Sequence, residues 1–331
     1  MARQGKALGR WLPTIGARVT LSDSRPAEAL VADVESFAGL PVAFALGGHP
    51  LELLDDCDVL CLSGGVPPTL PIVQEAQRRG IPIANDAQLF VERCPALVLG
   101  ITGSAGKTTT TALTGEMARA AGRTTHVGGN IGDVLLDRLP QIAPDDVVVM
   151  ELSSFQLELM TVSPPVGAVL NVTPNHLDRH GTMDAYRDAK ANIYRHQRPD
   201  GTAIFGWDDP VAHTMSAEAP GRIAFFSVQE PVTRGAYLDG DRLVLATDDG
   251  TVEICGRDAI RLRGMHNVLN TLAACTIAWA GGVPVEAMRE AIARFTGVEH
   301  RLEPVATIDG ATWVNDSIAT APERVIAALR S

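Results

Sequence analysis

The chain has 331 residues, of which 46% are hydrophobic and 20% charged, and its 39 acidic and 28 basic side chains give a net charge of −11. This length suits two domains, or three if one is partial, and the composition excludes a disordered chain. The acidic balance and the lack of a Lys/Arg cluster argue against a nucleic-acid partner. No apolar run approaches the ~20 residues that a membrane span requires. The five cysteines form no CxxC pair, which favours buried free thiols in a cytoplasmic protein.

The first 95 residues alternate between strand-like and helix-like segments, as βαβ units of a parallel sheet do. The segments are RVTLS (18–22), VLCLS (59–63) and LPIVQEAQRRG (70–80). A Rossmann-type domain begins with a strand that leads into a glycine turn. Here ARQGKALG (2–9) follows the first methionine directly. We therefore expect residues 1–95 to form a Rossmann-like domain whose first strand is missing, with Gln4 and Gly5 in the remnant of its glycine turn.

A second βα series begins near residue 96. Valine-rich apolar runs suit central strands buried on both faces, and these are ALVLGIT (96–102), DVVVMEL (146–152) and VGAVLNV (166–172). Short alternating segments around Asp-Gly turns predict a small β-rich subregion over 202–262, and a helical pattern returns at 264–295. We predict that residues 96–298 form an α/β domain with a parallel sheet.

The pattern changes again after residue 298. EPVATIDGATWVNDS contains two strand-like segments around an Asp-Gly turn, and PERVIAALRS is helix-like. We expect residues 299–331 to be the beginning of a third α/β domain that is mostly absent.

The segment GITGSAGKTTTT (100–111) places glycines, a lysine and hydroxyls between a predicted strand and a predicted helix. It departs from the general pattern G-x-x-x-x-G-K-[ST], because Ile101 occupies the position of the first glycine. Glycines still allow close backbone approach, and a helix N-terminus attracts anions. The alternative, a plain glycine turn, would not need Lys-Thr-Thr. We therefore predict that the domain over 96–298 is of the P-loop ATPase type. The predicted phosphate-binding residues are Gly103, Ser104, Ala105, Gly106, Lys107, Thr108 and Thr109.

Three further residues have two interpretations each. Glu151 ends a predicted strand, where it is either a solvated acid or a carboxylate that can hold Mg²⁺ beside the phosphate loop. His176 follows the next strand, and alone it is more often a loop side chain than a ligand. Lys190 lies in an amphipathic helix, where the residues alone favour a solvated surface lysine.

The loop variant TGxxGKT[TS] and the segments around it resemble the Mur ligase family. They occur in family order as GGNIG (128–132), ELSSFQL (151–157), LNVTPNHLDRHG (170–181), AYRDAKANIY (185–194), GMHNVLN (264–270), EHRLE (299–303) and NDSIAT (315–320). ELSSFQL is typical of the members that add D-glutamate. The resemblance implies a monomeric, ADP-forming ligase of peptidoglycan synthesis that joins D-glutamate to UDP-N-acetylmuramoyl-L-alanine through an acyl phosphate.

The resemblance also implies a cofactor set of ATP and two Mg²⁺ ions. The implied metal ligands are Thr108, Glu151, His176 and an N-carbamylated Lys190, and the implied catalytic residues are Lys107, Glu151, His176 and Lys190. Asn267 and Asn270 stand three apart on one helix face, so they are either ATP contacts or a cap and a packing amide. By resemblance both contact ATP, together with Arg301 and Asp316.

The acceptor is assigned by resemblance to the first domain and to the edge of the second. The implied substrate-binding residues are Gln4, Ser24, Arg25, Ser63, Asn130, Ser153, Gln156 and His176. On this basis residues 1–95 bind the UDP-substrate and residues 299–331 begin the amino-acid-binding domain. Because so little of that last domain is present, we expect the chain to bind nucleotide but to ligate D-glutamate poorly.

Two positions depart from the family pattern. Ala105 stands where the family usually carries asparagine, and Ile318 stands where we expect lysine. Three other functions therefore stay open: another amide ligase of the same family, an ATPase switch that needs no acceptor, and a nucleotide-binding fragment without turnover.

Overall fold

The structure is a computed structural model, and it describes residues 1–298 and 303–317. The helices are α1 Arg3–Trp11, α2 Val31–Glu35, α3 Pro71–Arg79, α4 Asp86–Arg93, α5 Lys107–Ala120, α6 Ser154–Leu157, α7 Leu177–His180, α8 Met183–Ala191, α9 Pro210–Met215, α10 Met265–Ala280 and α11 Val285–Arg294. The strands are β1 Val19–Asp23, β2 Val42–Leu46, β3 Leu60–Cys61, β4 Ile83–Ala84, β5 Leu97–Thr102, β6 Thr125–Gly129, β7 Val147–Glu151, β8 Val166–Val169, β9 Thr202–Gly206, β10 Arg222–Ser227, β11 Gly235–Asp239, β12 Arg242–Thr247, β13 Gly250–Gly256, β14 Glu303–Ile308 and β15 Ala311–Asn315.

A nine-stranded sheet with the order β13-β12-β11-β10-β9-β8-β5-β7-β6 forms the centre of the protein. Its strands from β6 across to β11 pair in parallel, and β12 and β13 add an antiparallel edge. The predicted α/β class with a parallel sheet is confirmed. The β-rich stretch that the sequence predicts over 202–262 consists of β9 to β13, and these strands continue the same sheet.

Helices cover both faces of this sheet, which is why its central strands carry unbroken apolar runs. Every residue of β7 is buried, and its side chains alternate between two cores. Val147 and Val149 pack with α5, α10 and α11 on one face. Val148 and Met150 pack with α1, α4 and α8 on the other. The strand ends are therefore held rigidly in register.

The N-terminal region differs from the sequence prediction at its first element. Gln4 and Gly5 lie in the first turn of α1, so the prediction that they belong to a glycine turn is wrong. The glycines of α1 serve close packing instead. A Cβ on Gly5 would lie 3.2 Å from Ser63 Oγ, and a Cβ on Gly9 would lie 2.8 Å from atoms of Leu21 and Phe37. A helix can tolerate glycine where no larger side chain fits.

Residues after the central sheet form an antiparallel hairpin of β14 and β15 around the Asp-Gly turn that the sequence predicts. The helix-like PERVIAALRS lies outside the described residues. The five cysteines are free, and of these Cys275 is buried while the other four are half-buried, so the prediction of buried thiols is wrong for those four. Within the two described ranges, no helix combines the length and apolar character needed to cross a membrane.

The buried Asp86 at the start of α4 predicts a specific dependence of stability on pH. Burial raises its pKa from 3.8 to about 6. The unfolded chain therefore loses this proton near pH 3.8 while the folded chain keeps it, so the stability falls as pH rises towards 6. Two pKa units correspond to about 3 kcal/mol. Asp86→Asn should raise the unfolding free energy by up to about 3 kcal/mol at pH 7 and by much less at pH 4, as measured by urea denaturation. An equal gain at both pH values would contradict this explanation.

Candidate functional site

The site begins where three parallel strands end at the same level of the sheet. Glu151 of β7 is in register with Ile101 of β5 and with Gly129 of β6. The segments that follow β5 and β6 therefore meet at this carboxylate. Thr108 Oγ1 donates a hydrogen bond to Glu151 Oε2 (3.0 Å), and Asn130 Nδ2 donates to Glu151 Oε1 (2.9 Å). Glu151 is only 1% exposed, so it is not the solvated acid of the alternative interpretation.

The glycines of the loop are required by its close packing against neighbouring elements. Gly106 has a φ of 83° and directly precedes α5. A Cβ at Gly106 would lie 2.3 Å from Asn270 Oδ1, and one at Gly103 would lie 2.9 Å from Leu170 Cβ. Any larger side chain would push the loop away from the end of β8 and from α10. The structure thus brings Asn270 of α10 against the loop.

Asn267 and Asn270 also interact with each other. Asn270 Nδ2 donates to Asn267 Oδ1 (3.1 Å), and Asn267 Nδ2 donates to the carbonyl of Arg263 (2.7 Å). Asn267 is therefore held by the main chain, and it orients the Asn270 amide beside the loop.

The loop is also fixed by two contacts from the segment after β8, which the sequence prediction did not include. Asn171 accepts a hydrogen bond from the Ala105 N–H (2.9 Å) and donates one to the Ala105 carbonyl (3.1 Å). Ser104 Oγ donates to the Thr173 carbonyl (2.9 Å) and lies 3.1 Å from the Tyr186 hydroxyl. The amide of Asn171 thus lies at the position where Ala105 departs from the family pattern.

The lysine and threonines at the start of α5 divide between the loop and the core. Lys107 Nζ donates to the Gly103 carbonyl (2.8 Å), across the turn. Thr108 faces Glu151, whereas Thr109 is 3% exposed and Thr110 and Thr111 are fully buried. The Thr110 and Thr111 hydroxyls have no hydrogen-bond partner within residues 1–298 and 303–317. Of the four threonine side chains, only that of Thr108 contacts Glu151.

Lys190 is the residue for which the sequence pattern alone was most misleading. The interpretation that the residues alone favoured, a solvated surface lysine, is wrong, because the side chain is 1% exposed. Its Nζ lies 3.3 Å from Thr102 Oγ1 and 4.6 Å from the centre of the Tyr186 ring. Burial and then the charge of Lys107 lower the pKa of Lys190 well below 10.5, while Glu151 opposes this shift. The amine is therefore biased towards its neutral, nucleophilic form.

This lowered pKa predicts a second pH effect on stability. Between the lowered pKa and 10.5, the unfolded chain binds a proton that the folded chain excludes, so stability rises with pH across that window. Lys190→Met should remove up to about 1.4 kcal/mol per pH unit from the slope of unfolding free energy against pH. Urea denaturation in CO₂-depleted buffer measures both slopes. Identical slopes for the two proteins would mean that Lys190 titrates normally.

His176 lies in an aromatic cluster that links three short elements, α6, α7 and α8. It precedes α7 with a φ of 54°, an uncommon conformation for a residue other than glycine. The Phe155 ring lies 5.0 Å from the His176 ring and 5.3 Å from the His180 ring, and His180 lies 5.2 Å from Tyr186. Burial and then the charges of Arg179, Lys190 and His176 lower the pKa of His180. The charges of His176 and Lys190 therefore both act on His180.

The residues assigned to the sugar side form a capping box at the start of α6. Ser153 Oγ accepts from the Gln156 N–H, and Gln156 Oε1 accepts from the Ser153 N–H. Gln156 Nε2 is buried without a hydrogen-bond partner in the described part of the chain. Asn85, which the sequence prediction missed, donates from Nδ2 to the Gln156 carbonyl (2.8 Å). The capping box thus leaves one buried amide donor of Gln156 unpaired among the described residues.

The other predicted acceptor residues lie farther along the N-terminal region. Ser63 follows β3 and packs against the first turn of α1 at Gly5. Ser24 is exposed after β1. Arg25 is half exposed. Its Nε and one terminal nitrogen donate hydrogen bonds to the Asp23 carboxylate (3.2 and 3.1 Å). This pairing is the main reason that the pKa of Asp23 is lowered to about 2. Asp316 follows β15, and Arg301 and Ile318 lie outside the described residues.

Comparison with known proteins shows the family of the chain. Residues 101–278 match the family described as "Mur ligase middle domain". This range includes the loop, Glu151, His176, Lys190 and both asparagines of α10. The chain belongs to the Mur ligase family.

Among individual relatives, it is 45% identical over 325 residues to the UDP-N-acetylmuramoylalanine--D-glutamate ligase of Symbiobacterium thermophilum, covering 98% of this chain and 71% of that one. It is 40% identical over 330 residues to the ligase of the same name from Pelotomaculum thermopropionicum, covering 99% and 72%. The crystal structure of MurF from Acinetobacter baumannii has the same fold, with a TM-score of 0.63 at 19% identity over 99% of this chain and 75% of that one.

Proposed function

We propose that the chain is an ATP-dependent ligase that activates the L-alanyl carboxylate of UDP-N-acetylmuramoyl-L-alanine and joins it to D-glutamate, with release of ADP. The observation that carries the proposal is the meeting of the phosphate loop, Glu151 and Asn130 at one strand end. It is supported by the printed names of relatives at 40–45% identity. We further propose a monomer acting in the cytoplasm, where ATP and nucleotide-linked sugars are found.

The residues at this strand end fit Mg²⁺ better than a softer metal. Within the described residues, no group of three or more His, Cys, Asp and Glu side chains could hold a metal alone. A hydroxyl from Thr108 and a carboxylate from Glu151, completed by phosphate oxygens, form the hard oxygen set that Mg²⁺ prefers. We propose that Thr108, Glu151, His176 and carbamylated Lys190 hold two such ions, which when bound would neutralise charge on the phosphates.

The environment of Lys190 also fits N-carbamylation. A neutral amine can attack CO₂, and the product is an anionic oxygen ligand. The positive charge of Lys107, which disfavours a charged Lys190 amine, would favour the carbamate. Carbamylation of the neutral amine, with one amine proton released to solvent, would therefore place a negative charge where Lys107 attracts it.

In the first step, the transfer of a phosphoryl group from ATP to the acceptor carboxylate, the residues of this chain would act mainly by positioning the two reactants. Lys107 and the N–H groups at the start of α5 bind the ATP phosphates, and Asn270 lies against the same loop. Asn130 and Gln156, whose Nε2 has no hydrogen-bond partner among the described residues, orient the acceptor, so that its carboxylate approaches the terminal phosphate. Alignment and charge neutralisation are the main sources of catalysis in such phosphoryl transfers. The amine of D-glutamate then attacks the acyl carbon of the acyl phosphate, the bond between that carbon and the phosphate oxygen breaks, and inorganic phosphate and a proton are released as the amide forms.

We propose that each of three segments of the chain binds a different substrate. Residues 1–95 bind the UDP-linked acceptor, residues 96–298 bind ATP, and residues 299–331 begin the amino-acid-binding domain. Arg301 and Asp316 would approach ATP from that last segment.

The test is ADP formation measured with and without UDP-N-acetylmuramoyl-L-alanine, with D-glutamate, L-alanine or L-lysine as the amine. We expect ADP formation to require the acceptor and, of the three amines, D-glutamate alone to give the amide product, at the low rate expected of this chain. ADP formation without acceptor would favour the ATPase switch. Product with L-alanine or L-lysine would favour another amide ligase of the family, and ATP binding without any ADP would favour an inactive fragment.

A further inference from the structure

One arginine of α7 connects three separate parts of the structure. Arg179 donates from one terminal nitrogen to the Gly64 carbonyl (3.2 Å) and from the other to the Val66 carbonyl (3.0 Å). Its guanidinium carbon also lies 4.2 Å from the centre of the Phe155 ring. The two carbonyls belong to the turn after β3, more than a hundred residues earlier in the chain. Arg179 thus joins the N-terminal region to α6 and α7.

The chemistry of arginine suits this position. A planar guanidinium can donate to two carbonyls and stack on an aromatic ring at the same time, which a lysine ammonium cannot do. The Nε of Arg179 is buried without a hydrogen-bond partner among the residues that the structure describes. An unpaired buried N–H is unfavourable, so the remaining contacts must hold the side chain in place.

The residues on either side of this connection are those assigned to the site. Ser63 directly precedes Gly64, and the Val66 N–H donates to the Ser63 carbonyl (2.9 Å), which closes a turn over residues 63–66. On the other side, the N–H groups of Arg179 and His180 donate to the His176 carbonyl (3.1 and 3.0 Å). Arg179 and His176 therefore lie in the same helical turn.

We propose that Arg179 is a positioning residue that holds the 63–66 turn against α7 and so aligns the diphosphate end of the acceptor with the reacting edge of the sheet. The proposal rests on the proposed function, because it takes Ser63 as a contact of the acceptor diphosphate. Arg179 acts through the main chain of the turn. Its loss should therefore weaken acceptor binding while leaving ATP binding unchanged.

The experiment compares Arg179→Lys with a matched control, Arg289→Lys. Arg289 of α11 also donates to two main-chain carbonyls, those of Ile254 and Glu253 (both 2.6 Å), but these lie on β13 at the far edge of the sheet. For both variants and the parent we would measure amide hydrogen exchange in residues 63–66, the Kd of the UDP-linked acceptor by calorimetry, and the Kd of ATP.

Arg179→Lys should accelerate exchange in the turn and raise the acceptor Kd about tenfold, equivalent to about 1.4 kcal/mol. The Kd of ATP should not change, and Arg289→Lys should alter none of the three. Unchanged exchange would overturn the connection itself, and faster exchange with an unchanged acceptor Kd would overturn its role in alignment. An equal effect of Arg289→Lys would reduce Arg179 to a general stabiliser. A parent chain that binds ATP but no UDP-linked acceptor would instead refute the proposed function.

Discussion

Glu151→Gln is expected to lower acceptor-dependent ADP formation by about a thousandfold while the protein stays folded. In the parent, both carboxylate oxygens accept hydrogen bonds, from Thr108 and from Asn130. A glutamine amide can accept only one of these, and it carries no charge with which to hold Mg²⁺. Initial rates at saturating ATP, with thermal unfolding of both proteins, measure the effect.

The matched control for this substitution is Glu116→Gln. Glu116 is a half-exposed residue of α5 that pairs with Arg119 on the surface (2.6 Å), so its variant should keep the parent's rate. A Glu151→Gln protein that retains more than about a tenth of the parent's activity would refute a metal-binding role for Glu151.

Lys190→Ala is expected to lower the same rate by about a hundredfold or more, because it removes the group that would carry the carbamate ligand. The parent should also lose activity in CO₂-depleted buffer and regain it when bicarbonate is added. The rate of Lys190→Ala should not respond to bicarbonate. This difference in response separates carbamylation from a simple packing role of the buried side chain.

The composition of the chain makes the modification directly observable. It contains only three lysines, Lys6, Lys107 and Lys190. With ¹³C-labelled bicarbonate, a carbamate NMR signal that is present in the parent and lost in Lys190→Ala can be assigned to that residue. A signal that persists in Lys190→Ala, or a parent whose rate ignores CO₂, would contradict the proposal.

Much of the fold followed from local patterns. The apolar runs of β5, β7 and β8 predicted central strands because a strand covered on both faces must be apolar throughout. The hairpin of β14 and β15 followed from its Asp-Gly turn. The start of α1 did not follow, because glycine in a sequence indicates either a turn or a close packing contact, and only the packing partner distinguishes them.

The candidate site also contains some residues that local sequence patterns predict and others that they do not. The loop from Gly103 to Thr108 could be predicted, because glycines, a lysine and hydroxyls ahead of a helix have few other uses together. The supporting contacts of Asn171, Asn85 and Arg179 could not be predicted, because they join residues about 65 to 115 positions apart. No local pattern of side chains reports such a contact.

The sequence by itself determined the strand pattern, the glycine-rich loop ahead of α5 and the acid at the end of β7, since each depends on neighbouring residues in the chain. Only the tertiary structure decided that Lys190 is buried within range of the Lys107 charge and that Glu151 lies between Thr108 and Asn130. The physical reason is that the protonation and reactivity of a side chain depend on its solvation and on nearby charges. Packing sets both of these, and packing joins distant parts of the chain.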